Sequence, residues 1–132
     1  MRVLLVDDHA IVRQGLMRLL AAEPDLEVVG EAADGKLAVE MTKELWPDVV
    51  LMDISMPVMN GIEATRAIRT QCPSVQVIGL SMFTAAEQAQ TLLDAGAVAY
   101  ASKTDPPQHL LAAIRACALT KASRQPDLFA TS

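Results

Sequence analysis

The chain reads as five short apolar runs, each followed by a stretch in which apolar residues recur at helical spacing. The first run, "RVLLV" at 2–6, ends on Asp7-Asp8. Ile11, Val12, Leu16, Leu19 and Leu20 then mark one face of a helix that Pro24-Asp25 stops. "LEVVGEA" at 26–32 predicts a second strand. The helix at 34–45 has Asp34 as N-cap and Leu37, Ala38, Met41 and Leu45 on one face, and Pro47 ends it. "DVVLMD" at 48–53 is apolar without alternation, the pattern of a strand buried on both faces. A helix over 61–70 is broken by Pro73, and "VQVIGLS" at 75–81 predicts a fourth strand. The next helix, 85–95, is expected to turn Ala89, Leu92 and Leu93 inward, with Gly96 closing it. "VAYAS" at 98–102 is a short fifth strand. Pro106-Pro107 opens a last helix with Leu110, Leu111, Ile114 and Ala118 on its apolar face.

Strand–helix alternation with short connections implies an α/β fold: a parallel sheet, doubly wound, with helices on both faces. Such sheets bind ligands beyond the carboxyl ends of their strands. The length of 132 residues suits one domain, expected over 1–120, with the small, polar, Pro-containing text at 121–132 as a linker or tail. At 52% hydrophobic but only 3% aromatic, the core must be aliphatic. A net charge of −5 argues against the domain itself gripping nucleic acid or an anionic membrane. Cys72 and Cys117 lack metal or redox spacing, and no signal peptide or membrane-length apolar run occurs. A cytoplasmic setting is therefore expected.

The polar residues at the strand ends change the picture. The first strand leaves Asp7 and Asp8, the third Asp53, the fourth Ser81, and the fifth Lys103 after Tyr100. The topology places these ends on one edge of the sheet. Taken singly, an aspartate there is a helix cap or turn residue (Asp8 could cap the helix beginning near His9), and a lysine or serine is a surface residue. Together they form three carboxylates against one ammonium. Two like charges ~4 Å apart repel by roughly 4 kcal/mol at an effective dielectric near 20. Lys103 can offset one acid, and a divalent, oxygen-seeking cation, most naturally Mg²⁺ with Mn²⁺ as a substitute, offsets the rest. The cluster has the makings of a phosphoryl site: metal on the acids, Lys103 and Ser81 on phosphate oxygens, one aspartate as nucleophile.

With "VLLVDDH", "DVVLMDISMPVMNG", "VIGLS" and "GAVAYASK" in place, the chain resembles a CheY-like receiver domain of bacterial two-component response regulators over residues 2 to about 119. "VDDHAIVRQGL", "EVVGEAADG" and "LLAAIRA" further resemble the receivers of LuxR/FixJ (NarL)-type transcription regulators; similar receivers occur in hybrid histidine kinases. The resemblance implies a flavodoxin-like (βα)5 three-layer sandwich with strand order 2-1-3-4-5. Asp53 would accept a phosphoryl group from the phosphohistidine of a sensor kinase. Asp8 and Asp7 would hold Mg²⁺ together with Asp53 and the backbone carbonyl of Ser55. Lys103 would pair with phosphoryl oxygens, Ser81 would shift to hydrogen-bond them, and Tyr100 would turn inward. The face at 84–120 would then bind a partner, an output domain outside this sequence or a second receiver in a phosphorylation-linked homodimer. Such a protein catalyses only its own phosphorylation and slow dephosphorylation. Ser55, Met82 and Phe83 flank the path of attacking water, and Met82 and Phe83 are expected to shield the acyl phosphate.

Two motif-like stretches fail on inspection. "GEAADGKL" places Leu37 where a P-loop needs Ser or Thr, and "GLSMF" ends on Phe83 where a nucleophile elbow needs Gly. His9 is expected at a helix start and His109 on the surface. Two rival classes stand beside the phosphoacceptor. A phosphohydrolase of haloacid dehalogenase type would need a second Asp two residues beyond Asp53, where this chain has Ser55. A receiver-like binding module that is never phosphorylated would lack an acid or the lysine, and all are present.

Overall fold

The computed structural model describes residues 1–54, 60–81, 86–103 and 106–117, the side chains of 86–89 excepted. Ser55, Met82, Phe83 and Ala118 onward, including the expected tail at 121–132, lie outside the described residues. The elements run β1 (Arg2–Val6), α1 (Ala10–Ala21), β2 (Glu27–Ala32), α2 (Gly35–Leu45), β3 (Val49–Asp53), α3 (Gly61–Gln71), β4 (Gln76–Ser81), α4 (Ala86–Asp94) and β5 (Ala99–Ser102), followed by a helical run over 107–117 (α5). All four strand pairings are parallel, and the order is β2-β1-β3-β4-β5, as the resemblance implied. Among the described residues no helix is long and apolar enough to cross a membrane.

Strand parity divides the core in two. Leu4, Val6, Val50, Met52 and Val77 pack under α2, α3 and α4 with Ala38, Ala64, Ile68 and Leu92. Val3, Leu5, Val49, Leu51, Ile78 and Leu80 pack under α1 and α5 with Leu20, Leu110, Ile114 and Cys117. Every residue of β1 after Arg2, and all of β3 and β4, is buried, which is why these runs carry no polar alternation. Edge strand β2 is mostly half-exposed.

Three expected helix faces need correction. Ile11 is 84% exposed, because α1 begins only at Ala10 and its packed stripe is carried by Leu16, Met17, Leu19 and Leu20. Leu37, in the first turn of α2, is also exposed, and Ala38 and Val39 take the core positions. In α4, Leu92 is fully buried and Leu93 points outward at 42% exposure; the two side chains diverge by about 100°, and α4 lies with Leu92 against the sheet. Ala89 is among the undescribed side chains.

The helix ends follow local chemistry. Asp34 caps α2 by accepting from Leu37 N at 2.8 Å, as expected from the sequence. Gly96, at φ +117, closes α4 with Gly96 N donating to Leu93 O and Ala97 N to Leu92 O. Trp46 takes the left-handed position after α2 at φ 47, and Arg2 Nη1 donates to the Leu45 and Trp46 carbonyls there. Arg115 of α5 reaches Glu23 at 2.6 Å and Asp25 at 3.1 Å, tying that helix to the α1–β2 turn. The guanidinium holds the Asp25 carboxyl below its ordinary value. Cys72 and Cys117 are free and buried, and burial pushes both thiols up.

Two outcomes test this packing. A Cβ on Gly79 would stand 1.6 Å from Leu92 Cδ2, so that fully buried side chain must move within the core. Gly79→Ala should cost about 1–3 kcal/mol in urea denaturation through overpacking. Arg115→Ala should raise the Asp25 titration midpoint toward 3.8 in an NMR pH series. A lowered folded-state pKa means the Asp25 pairing contributes above the unfolded value and is lost as pH falls through the folded one. In Arg115→Ala the acid-side loss should therefore shrink.

Candidate functional site

Parity and register build the site before any side chain is considered. Val6 pairs with Met52, so the next residues, Asp7 and Asp53, leave the sheet side by side on adjacent strands. Counting from the α1/α5-facing residues Val3 and Leu5, and from Val49 and Leu51, Asp7 and Asp53 have the same parity. Lys103 continues Ala99 and Ala101 on that parity, and its backbone N–H donates to Ser81 O at 2.6 Å. Adjacent strands lie about 4.8 Å apart, so Asp7 and Asp53 have little freedom to avoid one another, and the long Lys103 side chain reaches them past the end of β4.

Both acids are buried: Asp7 wholly, Asp53 to within 2%. Lys103 Nζ stands 2.6 Å from Asp7 Oδ2 and 3.2 Å from Asp53 Oδ2, with only 5% of its side chain exposed. Asp7 Oδ1 accepts from the backbone N–H of His9 at 2.8 Å. Asp8 is half-exposed beside it. Arg13 of α1 donates to the Asp7 carbonyl and, through Nε, to Glu31 of β2 at 3.0 Å, fixing the backbone that carries the two acids.

The third strand's exit is shaped by Gly61. A Cβ there would lie 2.2 Å from the Asp53 carbonyl oxygen and 2.6 Å from Ile54 Cα, so only glycine lets α3 begin against the backbone that presents Asp53. Gly61 N donates to Ile54 O at 3.3 Å. Asn60 is more than the turn residue expected from the sequence. Its Oδ1 accepts from Glu63 N at 2.9 Å while its Nδ2 donates to Glu63 Oε1 at 3.1 Å, a reciprocal cap on α3. The N-G-x-E spelling carried that signal.

Ser81 is buried at the end of β4, paired in register with Ser102. Tyr100 is half-buried and packs against the core under α2–α4, so it sits on the opposite side of β5 from Lys103. The α1 N-cap is His9, with no side-chain capping bond; Asp8 does not fill that place. His9 is the residue that sequence reasoning missed. Its Nδ1 stands 3.0 Å from Asp8 Oδ1 and 3.4 Å from Asp7 Oδ1. One ligand atom each from Asp7, Asp8, His9 and Asp53 lies within 4.8 Å of all the others.

This donor set fits a divalent cation. Three carboxylates face one lysine. Asp8 Oδ1 and Asp7 Oδ2 are buried oxygens that accept no well-aligned hydrogen bond; the lysine lies close to the latter but outside hydrogen-bond angles. Oxygens crowded this way favour Mg²⁺, which takes a few carboxylates and keeps several waters.

The comparisons agree with the geometry. Residues 3–115 match the family described as the response regulator receiver domain. The chain is 45% identical over 115 residues to the transcriptional regulatory protein LiaR of Bacillus subtilis (strain 168), covering 87% of this chain and 54% of that one. It therefore spans about half the length of that curated relative. It is similar to the crystal structure of a LuxR-family two-component response regulator from Aurantimonas sp. SI85-9A1, with a TM-score of 0.84 and 41% identity over 87% of this chain and 82% of that one. It also resembles a CheX-CheY-BeF3-Mg complex from Borrelia burgdorferi, with a TM-score of 0.82 and 27% identity over 88% and 87% of the two chains. Register, charge cluster and likeness lead to one assignment: the chain belongs to the response regulator receiver domain family.

Proposed function

We propose that this receiver takes a phosphoryl group on Asp53 in a cation-dependent transfer from a kinase phosphohistidine. The observation that carries the reading is the burial of Asp53 and Asp7 together against the single ammonium of Lys103. An Asp53 carboxylate oxygen forms the new bond to phosphorus as the phosphorus–nitrogen bond breaks, and the imidazole leaves with the electron pair. Lys103, already 3.2 Å from Asp53 Oδ2, neutralises a transferred oxygen. Asp7 and Asp8 would hold the cation, with Asp53 and the Ser55 carbonyl as further ligands. When bound, Mg²⁺ supplies charge neutralisation on the phosphoryl oxygens. Arg13 and Gly61 keep the backbones under these acids in place.

The same reading makes Ser81 and Tyr100 the switch. Ser81 at the end of β4 would gain a hydrogen bond to the phosphoryl group, and Tyr100 on the neighbouring strand would follow inward. Any population shift is limited to the difference in these contacts between the two states. The responding face, residues 84–120, offers exposed Leu93 and Val98 as apolar surface for an output domain or a second receiver. LiaR is named a transcriptional regulatory protein, and a LuxR-family structure from Staphylococcus aureus is named a DNA-binding response regulator; control of transcription through a DNA-binding output is the downstream role we carry over from them. The phosphohydrolase alternative is disfavoured by Ser55, two residues beyond Asp53, where a second acid is needed.

Incubated with acetyl phosphate and Mg²⁺, the parent should gain one alkali-labile phosphate per chain, while Asp53→Ala should gain none on intact-mass measurement. Phosphate release over many rapid cycles would point to a phosphohydrolase, and labelling that survives Asp53→Ala would sink the acceptor assignment. If Met82 and Phe83 shield the acyl phosphate, Met82→Ala and Phe83→Ala should each shorten its half-life by about 2–10-fold, the scale on which ~0.4–1.4 kcal/mol changes a barrier. Unchanged half-lives in both would remove the shielding idea.

A further inference from the structure

We propose that His9 is a nitrogen ligand of the acidic pocket, making it a mixed oxygen–nitrogen site that favours Mn²⁺ and Co²⁺ over Mg²⁺ more than carboxylates alone would. The inference rests on the cation pocket proposed above and adds a ligand to it. The His9 backbone opens α1, its carbonyl accepting from Arg13 N at 2.9 Å, while the contacts recorded for its side chain are those with the two acids. His9 stands at the N-cap of α1, yet its side chain makes no capping bond, and the imidazole is 63% exposed. Its Nδ1 is nevertheless turned to the acids, 3.0 Å from Asp8 Oδ1 and 3.4 Å from Asp7 Oδ1.

The form of these contacts matters. At 3.0 Å an imidazole nitrogen and a carboxylate oxygen would ordinarily hydrogen-bond, but Asp8 Oδ1 is buried and accepts none. Nitrogen and oxygen are close without pointing at each other. Two donors in neighbouring positions on one octahedral cation, each ~2.1 Å from it, lie about 3 Å apart. The observed separations match donors that converge on a shared third atom. Asp53 belongs to the same group, all within 4.8 Å.

Imidazole is a poor ligand for Mg²⁺ and a good one for later divalent metals, so it changes preference more than it changes overall binding. The placement depends on local backbone as much as on the sheet. The Asp7 carboxylate accepts the His9 N–H at 2.8 Å, and this turn brings the imidazole back over the acids. Arg13, one helical turn on, binds the Asp7 carbonyl and Glu31, so the neighbouring cation is directed away from the ligand atoms.

The full chain, its His9→Ala variant and an Asp8→Ala/Asp53→Ala double variant should be titrated with Mg²⁺ and with Mn²⁺ by calorimetry. The Mn²⁺ forms should be examined by electron spin-echo envelope modulation for coupling to an imidazole nitrogen. We expect nitrogen modulation in the parent and none in His9→Ala, a loss of about ten-fold in Mn²⁺ affinity, and less than about two-fold for Mg²⁺. His9 is exposed, so the variant should keep its far-UV circular dichroism and melting temperature; the chain has only one other histidine, His109. Mn²⁺ binding without nitrogen modulation, modulation that persists in His9→Ala, or affinities for both metals that move together or not at all, would overturn the His9 ligand and leave the pocket standing. Failure of the parent to bind either cation, or binding retained by the double variant, would remove the pocket reading and the proposal with it.

Discussion

Everything at the functional end of this molecule follows from placing two buried carboxylates on adjacent parallel strands with one lysine between them. Asp7 and Asp53 have ligand oxygens no more than 4.8 Å apart, where like charges repel by roughly 3–4 kcal/mol at an effective dielectric near 20. Lys103 touches both, but one positive charge cannot balance two buried acids and the half-exposed Asp8 beside them. The arrangement keeps a residual negative charge in a rigid place. That is a cost to the fold, and in the proposed function it is the charge that would draw a cation and then the oxygens of a phosphoryl group.

The remainder of the structure serves to keep this cluster from relaxing. A strand buried on both faces cannot slide or twist its last residue out of register without exposing a core side chain. Gly61 lets α3 start in contact with the Asp53 backbone, and the Asn60–Glu63 cap holds that start. Arg13 secures the carbonyl of Asp7. Two residues before Ser81, Gly79 admits Leu92 of α4 directly onto β4, linking the helix of the proposed output face to the strand that ends in Ser81. In the proposed switch, a shift at Ser81 would meet packed side chains on its way to that face, where small displacements are not absorbed by empty space.

Much of this was legible in the sequence. The unbroken apolar runs named the buried strands, and the Pro, Gly and Asp residues between them set the turns to within a residue or two. Asp7, Asp8, Asp53, Ser81 and Lys103 could be chosen because each follows an apolar run. Helix orientation was less legible: Ile11, Leu37 and Leu93 fit an apolar face by spacing, and the structure leaves all three exposed. Periodicity identifies a helix face to within about 100°, and only the sheet beneath decides which edge of that face is covered. His9 was invisible because a histidine at a helix start has no distinctive spacing; its meaning comes from the acids that it meets.

The sequence alone therefore determined the element order, the aliphatic core, and which polar residues would leave the strands at one edge, because strand burial and turn chemistry are local properties of the text. The tertiary structure decided which of those residues touch. It set Asp7 beside Asp53 through the β1–β3 register, brought Lys103 from the end of the last strand onto both, and folded His9 back over the pair. Contacts across strands depend on pairing order and parity, and neither is written in any single segment.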